Sequence, residues 1–190
     1  METVLLILLA IPFLVLKYLF SNHETLAEKD RRRFAEGLEL VEERQLDTAL
    51  AYFTLMAQQF PKSATVHHLK GHCNFGLQNY YSALYDLNVS LSLDNTNAEA
   101  YLLKGQCHFH LQEFNPAFLE FDKAVWHTRA QHPDALRWRG LARLTQGQTE
   151  QARQDFEKAL AMGDENAAFH LNTQFTRNGV RLRDSRNGPH

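Results

Sequence analysis

The chain has 190 residues, of which 44% are hydrophobic and 22% are charged, and its formal net charge is -2. This composition is typical of a folded protein and gives no support to nucleic-acid binding, which needs a basic surface. The length allows one or two domains.

The first predicted element is an apolar segment at the N-terminus. Residues 4–16 carry no polar side chain, and the stretch continues to residue 20 with Lys17 as its one interruption. About 17 apolar residues is the lower limit for a helix that crosses a bilayer, and the flexible stem of a lysine near one end can reach the lipid headgroups. We therefore predict a transmembrane anchor over residues 3–20.

A cleaved signal peptide and a helix buried in the folded domain are the two alternatives for this segment. A signal peptide begins with positive charge and ends at a small-x-small cleavage site. The segment instead begins with Glu2 and Thr3, and it ends in Phe20, Ser21 and Asn22. The sequence therefore favours the uncleaved anchor.

Positive charge follows the apolar segment, where Lys29, Arg31, Arg32 and Arg33 lie close together. Lysine and arginine mark the cytoplasmic side of a membrane helix. We expect a single-pass membrane protein with its N-terminus outside and the folded domain in the cytoplasm. Residues 21–29 would form a linker or a helical extension.

Small residues recur at a fixed period after the linker. Four glycines are spaced by 34, 34 and 35 residues, an alanine follows each after twelve residues, and Phe or Leu follows four residues later. This period predicts stacked helix pairs in which the glycine allows close approach, the alanine fills the crossing point and the large side chain fills the space beside it. The residues assigned to this packing are Gly37, Ala49, Phe53, Gly71, Ala83, Leu87, Gly105, Ala117, Phe121, Gly140, Ala152 and Phe156.

The order of glycine, alanine-x3-phenylalanine and alanine at this period resembles the tetratricopeptide repeat (TPR). The resemblance implies an all-α fold, a right-handed α-solenoid of helix pairs with a concave groove. A capping helix is expected over residues 167–177, to shield the last apolar face, and a disordered tail over residues 178–190. The four copies lie at residues 30–63, 64–97, 98–131 and 133–166.

The resemblance also places the groove. In this family the first helix of each pair lines the concave face, mainly through positions 2, 5, 9, 12 and 13 of the repeat. The floor is then apolar and aromatic with histidines and a few charges, which suits an amphipathic helix or an extended apolar segment of a partner. The alternative is that these side chains serve internal packing. The candidate partner-binding residues are Phe34, Leu38, His68, His72, Phe75, Leu102, Gln106, Phe109, Arg137 and Leu141.

One family function is not expected. Family members that bind acidic chaperone tails use lysine, asparagine and arginine at five groove positions. None of these residue types is present at the matching positions, which hold Phe34, Leu38, Leu69, Glu99 and Leu103.

No metal site, cofactor or catalytic centre is expected. His68 and His72 have a spacing that can hold zinc, but no third or fourth ligand accompanies them. Cys73 and Cys107 occupy equivalent repeat positions, where helix spacing is too wide for a disulfide, and are expected as packing. Carboxylates such as Asp155 and its neighbours are expected on the solvated surface.

These observations predict a membrane-anchored scaffold, not an enzyme, that binds a protein partner in its groove. The partners are expected to be membrane proteins, with no nucleic acid and no small-molecule substrate, and the task to be assembly or stabilisation of a membrane complex. A targeting receptor that reads amphipathic segments and a permanent accessory subunit are the alternatives.

Overall fold

The computed structural model describes Ile11 and residues 26–176, and every regular element in this part of the chain is a helix. The predicted all-α stack of helix pairs is confirmed, because each helix packs against the next one along the chain. A short π-helical turn, Asn172–Thr176, follows the last helix. The helices are α1 (Leu26–Arg33), α2 (Ala35–Glu42), α3 (Leu46–Gln59), α4 (Ala64–Gly76), α5 (Tyr80–Leu93), α6 (Ala98–His110), α7 (Phe114–His127), α8 (Pro133–Thr145), α9 (Thr149–Ala161) and α10 (Glu165–Leu171).

The first helix of the first repeat is built from two pieces. Helices α1 and α2 are separated at Phe34, yet the Phe34 amide donates to the Asp30 carbonyl at 2.9 Å and the Leu38 amide donates to the Phe34 carbonyl at 3.0 Å. Helical hydrogen bonds therefore cross the break. The other first helices are α4, α6 and α8, and the second helices are α3, α5, α7 and α9.

Two predicted end segments fall outside the described residues. These are the transmembrane anchor at residues 3–20, apart from Ile11, and the tail at residues 178–190. In residues 26–176, none of the helices combines the length and the apolar character needed to cross a bilayer. The last helix, α10, begins at residue 165, two residues earlier than predicted, because the Asp164 carboxylate caps it by accepting from the Asn166 amide at 3.0 Å.

The two helices of each pair are joined by the same three-residue turn. Its second residue has a positive φ in all four copies: 60° at Arg44, 63° at Gln78, 61° at Gln112 and 74° at Gly147. The third residue donates its amide to a carbonyl five residues back, as in Gln45 to Leu40 at 2.9 Å. This is the hydrogen bond of a Schellman motif, which ends a helix by a left-handed residue.

The contact that holds each pair together lies over the repeated glycine. A methyl group on Gly105 would lie 2.5 Å from the Phe121 ring, and one on Gly140 would lie 2.8 Å from the Phe156 ring. At Gly71 the neighbour is Leu87, at 2.9 Å. The large side chain of the second helix therefore occupies the space directly above the glycine, and the repeated alanines are fully buried beside it.

We predict that Gly105→Ala lowers the free energy of unfolding by up to about 2 kcal/mol. Overpacking against a ring costs about 1–3 kcal/mol, and better helix propensity returns about 1 kcal/mol. Gly71→Ala should cost less, because a leucine side chain can move aside more easily than a ring. Chemical denaturation measures both changes.

A double variant, Gly105→Ala with Phe121→Leu, controls this prediction. It places an alanine opposite a leucine, the side chain that faces Gly71 in the second repeat. The double variant should therefore lose about 1 kcal/mol less unfolding free energy than the sum of the losses of the two single variants. Additive losses would contradict a direct contact between the two residues.

Each of the last three repeats also contains a buried ion pair between its two helices. The carboxylates are Asp86, Glu120 and Asp155, spaced by the repeat period and 1%, 7% and 4% exposed. Their bases on the first helix have the same spacing. The pairs are Lys70–Asp86 at 3.0 Å, Lys104–Glu120 at 3.1 Å and Arg139–Asp155 at 2.7 Å.

The prediction that Asp155 lies on the solvated surface is wrong. Asp155 accepts two hydrogen bonds from Arg139, at 2.7 and 3.0 Å, and one from Arg143 at 2.7 Å. Buried charges are retained only when they are paired and hydrogen-bonded, and here two guanidinium groups supply that pairing. Helical spacing alone did not reveal it, because its partners lie on the other helix of the pair.

We predict that Asp155→Asn lowers the free energy of unfolding by about 2–3 kcal/mol, since removing one partner of a buried pair leaves the other charges uncompensated. Glu157→Gln is the matched control, because Glu157 is exposed and pairs with the exposed Arg153. That change should cost less than about 1 kcal/mol. Equal losses in chemical denaturation would contradict the buried-pair interpretation.

Candidate partner-binding groove

The first helices of successive repeats lie side by side. Helix α4 contacts α6, and α6 contacts α8. Side chains at equivalent positions of these helices therefore form one continuous surface. The start of each helix is fixed by a side-chain cap, in which Ser63, Asn97 and His132 accept the amides of Val66, Ala100 and Ala135.

Two candidate groove residues are buried in the core. Phe34 is fully buried and packs edge-on against the Phe60 ring at 5.7 Å. Leu102 is 6% exposed and belongs to the core formed by the third and fourth repeats. Both side chains serve internal packing, which was the alternative to groove binding. Each lies in a core cluster with residues of the neighbouring second helix.

Aromatic side chains join the ends of the first helices. Phe109 contacts the rings of Phe114 at 5.2 Å, Trp138 at 5.5 Å and Phe121 at 6.5 Å. Such ring contacts stabilise a core beyond the area that they bury. Although Phe109 is only half-buried, its contact with Trp138 makes it part of the packing between repeats.

A second set of rings contains Phe75. Its ring lies 5.8 Å from Tyr80 and 5.7 Å from His110, and Tyr80 and His110 stack in parallel at 5.1 Å. Sequence reasoning missed Tyr80, Phe114 and Trp138. Tyr80 and Phe114 occupy the same repeat position, so a search for large side chains at the period of 34 would have found those two.

Position 9 of the repeat remains partly open in every copy. Leu38, His72, Gln106 and Leu141 are all half-exposed on the first helices. Leu141 also packs against the core, whereas Leu38 belongs to none of the core clusters within the described residues. These four side chains form a half-exposed row across the predicted groove.

Two histidines of the second repeat, His68 and His72, have lowered pKa values. Burial, with neighbouring His72 as the second cause, lowers the pKa of His68 to about 4. Burial also lowers the pKa of His72, although the charge of Glu99 opposes that shift. The Glu99 carboxylate also lies 2.8 Å from Nε2 of His132. At neutral pH this part of the surface therefore offers uncharged imidazoles.

Among the candidate groove residues, Arg137 carries a permanent charge. Its guanidinium is paired with carboxylates of the repeat array itself. Its guanidinium donates to Asp164 at 2.7 Å and also to Asp134. Two carboxylates compensate the arginine, so an acidic partner would have to displace them.

No cluster of three or more histidine, cysteine or acidic side chains suited to a metal ion occurs in the described residues. Cys73 and Cys107 are fully buried free thiols. Burial raises the pKa of Cys73 to about 11 and that of Cys107 to about 12, which keeps both thiols protonated and unreactive.

We predict that acidification from pH 7 to pH 5 destabilises the fold through His68. Its pKa is about 4 when folded and near 6.5 when unfolded, so the unfolded chain binds more protons in this range. Stability is therefore full above pH 6.5 and falls with decreasing pH, by up to about 2 kcal/mol at pH 5. His68→Gln should reduce this loss in thermal unfolding, while the control Gln106→Asn should leave it unchanged.

Sequence comparisons match two family models to the chain. A model described as "Anaphase-promoting complex, cyclosome, subunit 3" matches residues 42–124, and one described as "Tetratricopeptide repeat" matches residues 123–167. Curated protein sequences give no match.

Solved structures share the fold. A crystal structure of MamA is 20% identical with a TM-score of 0.68, over 76% of this chain and 85% of MamA. The TPR domain of Arabidopsis OM64 is 22% identical with a TM-score of 0.55, over 65% and 96%. The first TPR of Spaghetti (RPAP3), bound to an HSP90 peptide, is 25% identical with a TM-score of 0.56, over 58% and 88%.

The repeat architecture, the two family models and these structures define the class of this molecule, a helical-repeat scaffold for protein–protein interaction that is generally non-catalytic. The chain contains tetratricopeptide-type repeats, and the two family models together match residues 42–167.

Proposed function

We propose that this protein is a membrane-anchored TPR scaffold that holds a segment of a membrane-protein partner in its groove and so supports assembly or stabilisation of a membrane complex. The apolar stretch at residues 4–20 supports the anchor, and the basic residues after it support a cytoplasmic location of the repeats. The observation that carries the binding proposal is the half-exposed row at position 9, formed by Leu38, His72, Gln106 and Leu141.

The chemistry of this row defines the kind of partner. The row contains two leucines, a histidine and an amide. The leucines and the amide are uncharged, and burial lowers the pKa of His72, which favours its neutral imidazole. A partner helix with an apolar or weakly polar face could therefore bind this row without burying a charged side chain of the row. An acidic tail finds no free cation at the matching family positions, because Phe34 and Leu103 are buried apolar residues.

The mechanism is tethering. One anchor holds the repeats at the bilayer, which raises their effective concentration near partners in the same membrane. Affinity at the groove can then be modest. No bond is made or broken in the partner, and the scaffold acts by retaining it in place.

Site-specific photocrosslinking in membranes tests this proposal. A photoreactive amino acid at Leu38 or Gln106 of the full chain should crosslink a discrete membrane protein several-fold more than the same amino acid at Leu55 or Leu119. These control leucines are 57% and 58% exposed and lie on the second helices α3 and α7. Charged variants at position 9, Leu38→Glu with Gln106→Glu, should lose the complex on affinity purification in detergent.

The outcomes separate the proposed roles. A complex of fixed stoichiometry that survives detergent identifies a permanent subunit, and reversible capture of isolated amphipathic peptides identifies a receptor. Equal crosslinking from the groove and control positions would sink the groove proposal. Complete release of the full chain by alkaline carbonate would sink the membrane anchor.

A further inference from the structure

The loops that connect one repeat to the next lie along a single edge of the stack. Each follows the C-terminus of a second helix and precedes the N-terminus of the next first helix. Because helices within a pair are antiparallel, these ends all fall on the same side. We call this side the loop edge, and its loops are residues 60–63, 94–97, 128–132 and 162–164.

Helix α1 starts on the loop edge. The Ser63 hydroxyl donates to the Asp30 carboxylate at 3.3 Å, and the Arg33 guanidinium lies 4.8 Å from the centre of the Phe60 ring. Asp30 and Arg33 also border a hollow together with the first loop and the end of α5. Since α1 begins four residues before Asp30, the chain enters the repeat array about 6 Å beyond this edge.

Apolar and basic side chains are exposed along the loop edge. Trp126, in the last turn of α7, is 73% exposed, and Leu93, at the end of α5, is 42% exposed. Lys62 and Arg129 are exposed on the loops themselves. Trp126 borders an open hollow of about 680 Å³ that lies between the second and third of these loops.

Three acidic side chains of the loop edge have partners within the chain. Asp94 accepts the hydroxyl and the amide of Thr96 at 2.7 and 2.9 Å. Asp164 accepts from Arg137, and Glu99 lies 2.8 Å from the His132 ring. Lys62 and Arg129 are the exposed lysine and arginine on the loops of this edge.

We propose that the loop edge rests on the phospholipid headgroups, with the Trp126 indole at the membrane–water interface. This inference rests on the proposed membrane anchor. Residues 21–25 separate the apolar stretch from α1 and span at most about 20 Å when fully extended, so the edge at which α1 starts is confined close to the bilayer. Tryptophan concentrates at membrane interfaces, and lysine and arginine are attracted to anionic headgroups.

Lipid quenching of a single tryptophan tests the proposal on the full chain in mixed phosphatidylcholine–phosphatidylserine vesicles. Trp138→Phe leaves Trp126 as the one tryptophan. The matched control carries Tyr81→Trp with both native tryptophans replaced by Phe, since Tyr81 is 72% exposed and lies in the first turn of α5, at the opposite edge. Brominated lipids should quench Trp126 several-fold more than the tryptophan at position 81, and acrylamide should quench it less.

A second measurement does not depend on replacing Trp138. A nitroxide label is attached to Trp126→Cys or Tyr81→Cys, because the native Cys73 and Cys107 are fully buried and unreactive. The label at position 126 should be more accessible to lipid-soluble oxygen than to a water-soluble nickel complex, and the label at position 81 should show the reverse.

Vesicle flotation separates the two proposals. A chain that does not float with the vesicles overturns both the anchor and the loop-edge inference. A chain that floats, yet shows equal lipid contact at positions 126 and 81, keeps the anchor and overturns the loop-edge inference. Trp126 that stays open to acrylamide in pure lipid and is shielded only in native membranes identifies a protein occupant, which also overturns it.

Discussion

The placement of a large side chain directly over a glycine is the contact on which this fold depends. It fixes the separation of the two helices in each pair, as at Gly105 under Phe121 and Gly140 under Phe156. Helices that approach this closely leave room beside them only for alanine, so Ala117 and Ala152 are fully buried. The Phe121 ring also contacts the next repeat, because it lies 5.7 Å from the Trp138 ring. One side chain therefore joins the two helices of a pair and also joins that pair to the next.

The sequence predicts this architecture well because the constraint recurs. A glycine and an alanine placed by chance do not repeat four times in phase, and the period also places the turns, where φ is positive at each second residue. The ion pairs carry the same period but were missed, since a charge at helical spacing is usually solvated. Recognising them requires aligning both helices of the pair, Lys70 with Asp86 and Arg139 with Asp155.

The groove was harder to predict. Position in a repeat indicates the direction in which a side chain points, but it does not indicate whether a neighbouring helix buries that side chain. Phe34 and Leu102 have groove positions, yet the adjacent second helix and the core of the next repeat bury them. Phe75 and Phe109 are drawn into ring clusters with residues that no single-repeat pattern includes. Position 9 stays half-exposed in all four copies, although Leu141 also packs against the core.

The two proposals together constrain how a partner reaches the groove. If the loop edge rests on the headgroups, the helices α4, α6 and α8 stand with their N-termini toward the bilayer. The position 9 row crosses these helices side by side and therefore runs parallel to the membrane surface. Each position 9 residue lies eight residues beyond the start of its repeat, which is about 12 Å along a helix. A bound segment would then lie along the membrane at that height, within reach of a partner whose own helices end at the same surface.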